Sequence, residues 1–175
     1  MIDQVISHIN EQAAARVDQL CDFLRVPSIS TDPDRKGDLL SGADWVKKQF
    51  ESAGMQVDIV DTPGHPCVIA DSGPADGDGP TILVYGHYDV QPAGDESLWD
   101  SPPFEPTIRD GAIYARGSAD DKGQVMTHVF AAQSWLAAAG KLPIRIKFVI
   151  EGEEEIGSPN LGKILQDHKD RLACD

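Results

Sequence analysis

An apolar run, Ile82 to Tyr85, passes without a turn into Gly86-His87-Tyr88-Asp89-Val90-Gln91-Pro92. Residues i and i+2 of a strand share a face, so His87 and Asp89 can both enter one cleft where the strand ends. A carboxylate beside an imidazole fixes its tautomer and raises its basicity, which is how proteins orient a metal-binding histidine. A short H-x-D also occurs on solvated turns, so this pair alone does not decide.

Two more polar clusters stand at the ends of ordered segments: Gly117-Ser118-Ala119-Asp120-Asp121-Lys122-Gly123, and Glu151 to Ser158 directly after Ile144 to Ile150. The surrounding pattern predicts an α/β fold with a mixed sheet flanked by helices. Helical spacing covers the first ~25 residues, with Ile2, Val5, Ile6, Ile9, Ala13, Leu20 and Leu24 inward, and ends before Pro27. A polar loop is expected over 28–40, then a helix over 43–53 stopping at Gly54. Strands are expected over 56–60, 67–70, 81–85 and 144–150. A hairpin turns at Asp110-Gly111 between 106–109 and 112–115. Helices are expected over 124–139 and 159–168.

In open α/β sheets ligands gather outside the carboxyl ends of strands, so the three clusters can converge. Each has a plain alternative. Asp120 or Asp121 can cap the following helix, and Glu151 to Glu155 can be a solvated acidic rim. Like charges packed after an apolar strand repel unless a cation offsets them, and three coincident clusters favour a metal site. One imidazole with several carboxylates and no thiolate suits zinc, manganese or cobalt. His8, His65, His128 and His168 read as surface or core-edge residues, and Arg116 and Lys122 as groups that neutralise site carboxylates or pair structurally.

The chain has 175 residues, 41% of them apolar, enough for one core, and a formal net charge of −14. That charge argues against nucleic acid and anionic membranes as partners. No apolar run approaches the roughly 18 residues of a membrane span, and the first residues lack a signal-peptide pattern. Cys21, Cys67 and Cys174 are odd in number and widely spaced, which points to reduced thiols and a cytoplasmic setting.

Gly86 to Pro92, the W-x-x-P-P-F segment (Trp99 to Phe104), Tyr114 to Gly123 and Glu151 to Ser158 together resemble the M20 family of di-zinc peptidases, its carnosinase-like dipeptidases above all. The similarity runs from Val26-Pro27-Ser28-Ile29-Ser30 to Asp175. Ala115 departs from it, since the family usually has glycine there. The resemblance implies a zinc-peptidase (phosphorylase/hydrolase-like) catalytic domain and hydrolysis of dipeptides or short peptides. It implies two divalent ions, zinc first, with manganese or cobalt as alternatives. His87 would bind one ion, Asp120 would bridge both before a cis peptide bond, and Glu155 would bind the other. Glu154 would be the catalytic general base, and Asp89 would steady His87. A one-residue slip in the acidic run would promote Glu153 instead.

Relatives of this kind are more than twice as long and supply further ligands plus a lid and dimerisation domain. The expectation is therefore that residues 1–175 are the N-terminal portion of a truncated catalytic domain, weakly active or inactive alone, whose full-length form is a homodimer. The alternatives are an N-acyl-amino-acid deacylase or desuccinylase of the same family, and a non-catalytic fragment that keeps only the fold.

Overall fold

A computed structural model describes residues 1–175 throughout. In chain order the elements are α1 (Ile2–Glu11), α2 (Ala13–Leu24), α3 (Lys36–Ser52), β1 (Gln56–Val60), β2 (Cys67–Asp71), β3 (Thr81–His87), β4 (Thr107–Arg109), β5 (Ala112–Tyr114), α4 (Lys122–Ala139), β6 (Arg145–Glu151), α5 (Leu161–Asp167) and α6 (Lys169–Leu172). The main sheet has the order β1-β2-β6-β3, with β4 and β5 forming a separate hairpin. β1 and β6 both run antiparallel to β2, while β3 and β6 are parallel. The sheet is thus mixed, as expected.

Alternation along the strands divides the core between two faces. Val68, Ala70, Phe148 and Ile150 pack with Leu39, Ala43, Val46 and Phe50 of α3 and with Val125, Met126, Val129 and Ala132 of α4. The Phe50 and Phe148 rings lie 4.7 Å apart, and burial of each such ring contributes roughly 1.5–3 kcal/mol. The opposite face is thinner: Cys67, Ile69 and Val149 meet Ile164 of α5 and Leu172 of α6. The turn of the small hairpin carries positive φ at both Asp110 and Gly111, the geometry that Asp-Gly favours.

Three helical expectations are corrected. The first ~25 residues form two helices that meet at Gln12, and Ile2, Ile6 and Ile9 are exposed while Val5 alone of that group is buried against the body. The second helix begins at Lys36, inside the expected loop. The Asp32 side chain caps a 3-10 turn over Pro33–Arg35 that feeds straight into it, so the proline opens the helical segment rather than excluding it. The last helical segment breaks at His168 into α5 and α6.

The parallel pairing of β3 with β6 positions the chemistry. Their register sets His87 beside Glu151, so the two strands deliver their polar clusters side by side. Tyr88 N–H then donates to Glu151 O (2.9 Å), extending the pairing one residue past β3.

Candidate metal centre

His87 is 5% exposed, and three groups fix it. Its backbone N–H donates to Asp121 Oδ2 (3.1 Å), and its Nδ1 lies 3.1 Å from Asp89 O and 3.4 Å from Asp89 Oδ1. Nδ1 therefore faces acceptors while Nε2 looks into the cleft, where it is 3.1 Å from Asp120 Oδ1 and 3.9 Å from Glu154 Oε2. Burial pulls the imidazole pKa down, but hydrogen bonds and charge from Asp89, with Asp121 adding to them, outweigh it and raise the metal-free group to about 9.

Asp89 is fully buried and does more than steady the imidazole. Its carboxylate accepts the backbone N–H groups of Glu154 (3.2 Å) and Glu155 (3.0 Å), so one side chain joins the end of β3 to the acidic loop after β6. That loop forms a 3-10 turn over Glu154–Ile156, closed by Gly157 at φ +87°. Gly152 serves a different purpose from a bend: a Cβ there would stand 2.3 Å from the Tyr88 hydroxyl, so glycine lets the loop pass the buried ring.

Ligand atoms of His87, Asp120 and Glu155 all lie within 4.8 Å of one another. Asp120 precedes a cis peptide bond to Asp121. Glu153 points elsewhere: it is 2% exposed, and its carboxylate accepts His65 N–H and both contacts from the Asn160 amide. Glu151 likewise turns from the cluster, accepting the Tyr85 (2.6 Å) and Ser158 (2.8 Å) hydroxyls, and its burial raises its pKa against those two hydrogen bonds.

Two site residues escaped the sequence reading. Asp121 is a helix-capping alternative on paper, yet its side chain makes no cap and holds the His87 N–H instead. Gln91 donates through Nε2 to Glu155 Oε2 (2.7 Å). The Asp-Asp doublet and the glutamine inside the Gly86 to Pro92 stretch were the available signals. Of the two readings open for Arg116 and Lys122, the structural one holds: neither neutralises a site carboxylate. Arg116 donates to Pro92 O (3.0 Å) and lies over Trp99, and Lys122 donates to backbone carbonyls of Phe23 and Val26. No lysine or arginine lies within 4 Å of Asp89, Asp120, Asp121, Glu151, Glu153, Glu154 or Glu155.

The sequence profile of peptidase family M20/M25/M40 matches residues 83–175, more than half of the chain. The chain belongs to the M20 peptidase family. Solved peptidase structures agree with this. Human carnosine dipeptidase 1 superposes with a TM-score of 0.90 at 31% identity over 97% of this chain, and the di-peptidase Dug1p from Saccharomyces cerevisiae with 0.87 at 27% over 96%. The metallo-carboxypeptidase Sso-CP2 from Sulfolobus solfataricus gives 0.81 at 36% over 91%. The chain spans 38%, 38% and 36% of those three proteins' own lengths. In this M20 chain the imidazole and carboxylates form a donor set of nitrogen and oxygen, suited to zinc, manganese or cobalt. The uncompensated carboxylates around His87 fit a divalent cation better than they fit one another.

Proposed function

We propose that this chain carries the ion-binding half of a peptidase centre that hydrolyses dipeptides or short peptides. The observation that carries the reading is the convergence of His87, Asp120 and Glu155 among carboxylates with no lysine or arginine partner. His87 and Asp120 would hold one divalent ion and Asp120 and Glu155 the other, with zinc the first choice. Such a pair lowers the pKa of water and polarises a carbonyl oxygen. Glu154, half exposed and 3.9 Å from His87 Nε2, takes the proton of the attacking water and returns it to the leaving amine. Asp89 keeps Nε2 of His87 aimed at the cleft, and Gln91 orients Glu155.

Each ion would receive two donors from residues 1–175, where catalytic zinc normally has three protein ligands. The 175-residue chain alone should therefore bind zinc weakly and turn over little substrate. Calorimetric titration with zinc, run beside His87→Ala, tests the site. Measurable binding that the variant loses supports it. Identical traces for the two proteins would end the proposal. All three cysteines are unpaired, and no helix is long and apolar enough to cross a membrane, which supports a cytoplasmic setting as part of the same proposal.

A further inference from the structure

Lys122 is 0% exposed, yet no carboxylate lies within 4 Å of its ammonium. Nζ donates to Phe23 O (3.1 Å) and Val26 O (2.6 Å) and sits 4.7 Å above the centre of the Phe23 ring. A buried charge costs free energy that an apolar side chain of similar length would avoid. Its own helix offers no help, because Lys122 opens α4 and so stands at the positive end of that dipole. What it gains lies on another element. Phe23 O and Val26 O belong to the last turn of α2 and the residues just beyond it, where carbonyls lack helical donors and a cation is favoured.

The segment it grips is Val26 to Ser30, which belongs to the family resemblance but makes no hydrogen bond to the acids of the centre. Ser28 is fully buried and donates from Oγ to Tyr88 O (2.7 Å), while Ser28 O accepts Val90 N–H (2.9 Å). Ile29 pairs with Val90 as an isolated parallel bridge. Ser28 thus holds both neighbours of Asp89. From Asp120 the path runs through Lys122 to Val26, through Ser28 to Tyr88 and Val90, and so to His87 and Asp89.

We infer that Lys122 and Ser28 are positioning residues, and that the Val26–Ser30 segment is a buckle setting the separation between the Asp120 loop and the His87 loop. The inference rests on the metal-centre reading for its consequence. Its structural half, the coupling of the two loops through Val26–Ser30, stands without any ion.

The test compares Lys122→Met and Ser28→Ala with Val129→Ala, a core truncation about two turns along α4 from Lys122 that lowers stability and removes none of the buckle's hydrogen bonds. Zinc affinity, the visible absorption of the cobalt(II) form and backbone hydrogen exchange at Val90 are measured on each folded variant. Either buckle variant should weaken zinc about tenfold or more and change the cobalt spectrum, as loss of groups behind metal ligands does. Each should also speed Val90 exchange about tenfold beyond Val129→Ala. Two variants are used so that a failure of Lys122→Met to fold leaves Ser28→Ala to decide. Wild-type affinity, spectrum and exchange in the folded buckle variants would overturn the inference while leaving the metal centre intact. Should wild type bind no metal at all, the centre falls and Val90 exchange alone decides: faster in the buckle variants sustains the coupling, unchanged refutes it.

Discussion

The two ends of the β3–β6 pair, about 20 Å apart, treat acidic residues in opposite ways. Where β6 begins, charge is matched. Asp71 accepts Arg145 Nε (2.9 Å) and Nη2 (2.5 Å), and Lys147 donates to Ala173 O. Where β6 ends, seven acids from Asp89 to Glu155 have no lysine or arginine within 4 Å and lean on backbone N–H groups, hydroxyls, amides and one imidazole. The first arrangement stabilises a sheet. The second leaves a negative field unanswered by the chain, which is what a cation-binding end requires. The difference lies in what was omitted: Asp71 has its arginine, and the seven acids at the other end have none.

The sharpest way to break this contrast is at the imidazole. His87→Ala should abolish zinc binding by calorimetry and also lower the melting temperature of the metal-free protein, an effect greatest below about pH 6.5 and fading as pH rises through 9, because it leaves the buried Asp89 carboxylate without its imidazolium partner. Asp89→Asn comes next: it keeps the shape but weakens an acceptor shared by Nδ1 of His87 and the amides of Glu154 and Glu155. Zinc affinity should fall about 10–100-fold. Unchanged affinity would mean that the buried carboxylate serves the loop alone.

Three neighbouring glutamates sharpen the comparison further. Glu155→Gln should weaken zinc clearly and Glu154→Gln little. Glu153→Gln should leave zinc binding alone and disturb His65 and Asn160 instead. Zinc loss in Glu153→Gln rather than Glu155→Gln would reverse the assignment. Their order also shows what was legible in the sequence. Three polar clusters at strand ends pointed to a metal site without coordinates, and the M20 resemblance, its register anchored by Gly152, Gly157 and Ser158, picked out His87, Asp120 and Glu155. Asp121 was hidden because its role depends on close approach to the His87 backbone, a tertiary fact. Lys122 kept two readings in the sequence, neutraliser or structural partner, because it stands beside acids; the helix start turns it toward α2 and decides for the second. The exposed Ile2, Ile6 and Ile9 follow a core-like spacing, yet only Val5 of α1 is buried, so periodicity identified the helix and not its contact face.

At the matched end the expected effect is on stability. Burial raises the Asp71 pKa, but hydrogen bonds from Arg145 and the Gly73 N–H, with charge from Arg145 and Lys147, outweigh it and hold the group below its ordinary value. A lowered folded pKa contributes stability above the unfolded value of about 3.9, lost as pH falls through the folded one. Asp71→Asn should therefore cost about 1–2 kcal/mol at neutral pH, between the figures for exposed and buried pairs, and flatten the loss of stability below about pH 4. Zinc affinity should not change. A loss of affinity would show that the two ends communicate.

The smallest effect concerns the thiols. Cys67 lies fully buried at the start of β2, and burial, with Glu151 and Glu153 nearby, pushes it up to about 12. Cys174 is exposed. Only the thiolate reacts with iodoacetamide, so native protein near pH 8 should label at Cys174 well before Cys67. Zinc should not alter the Cys174 rate. The Cys67 rate is the more informative one, because its neighbours Glu151 and Glu153 root the acidic loop. If that loop opens when the uncompensated charge has no cation to meet, Cys67 labels faster without zinc than with it. If the backbone N–H, hydroxyl and amide contacts suffice, the rates agree, and the site end is held as firmly as the matched one.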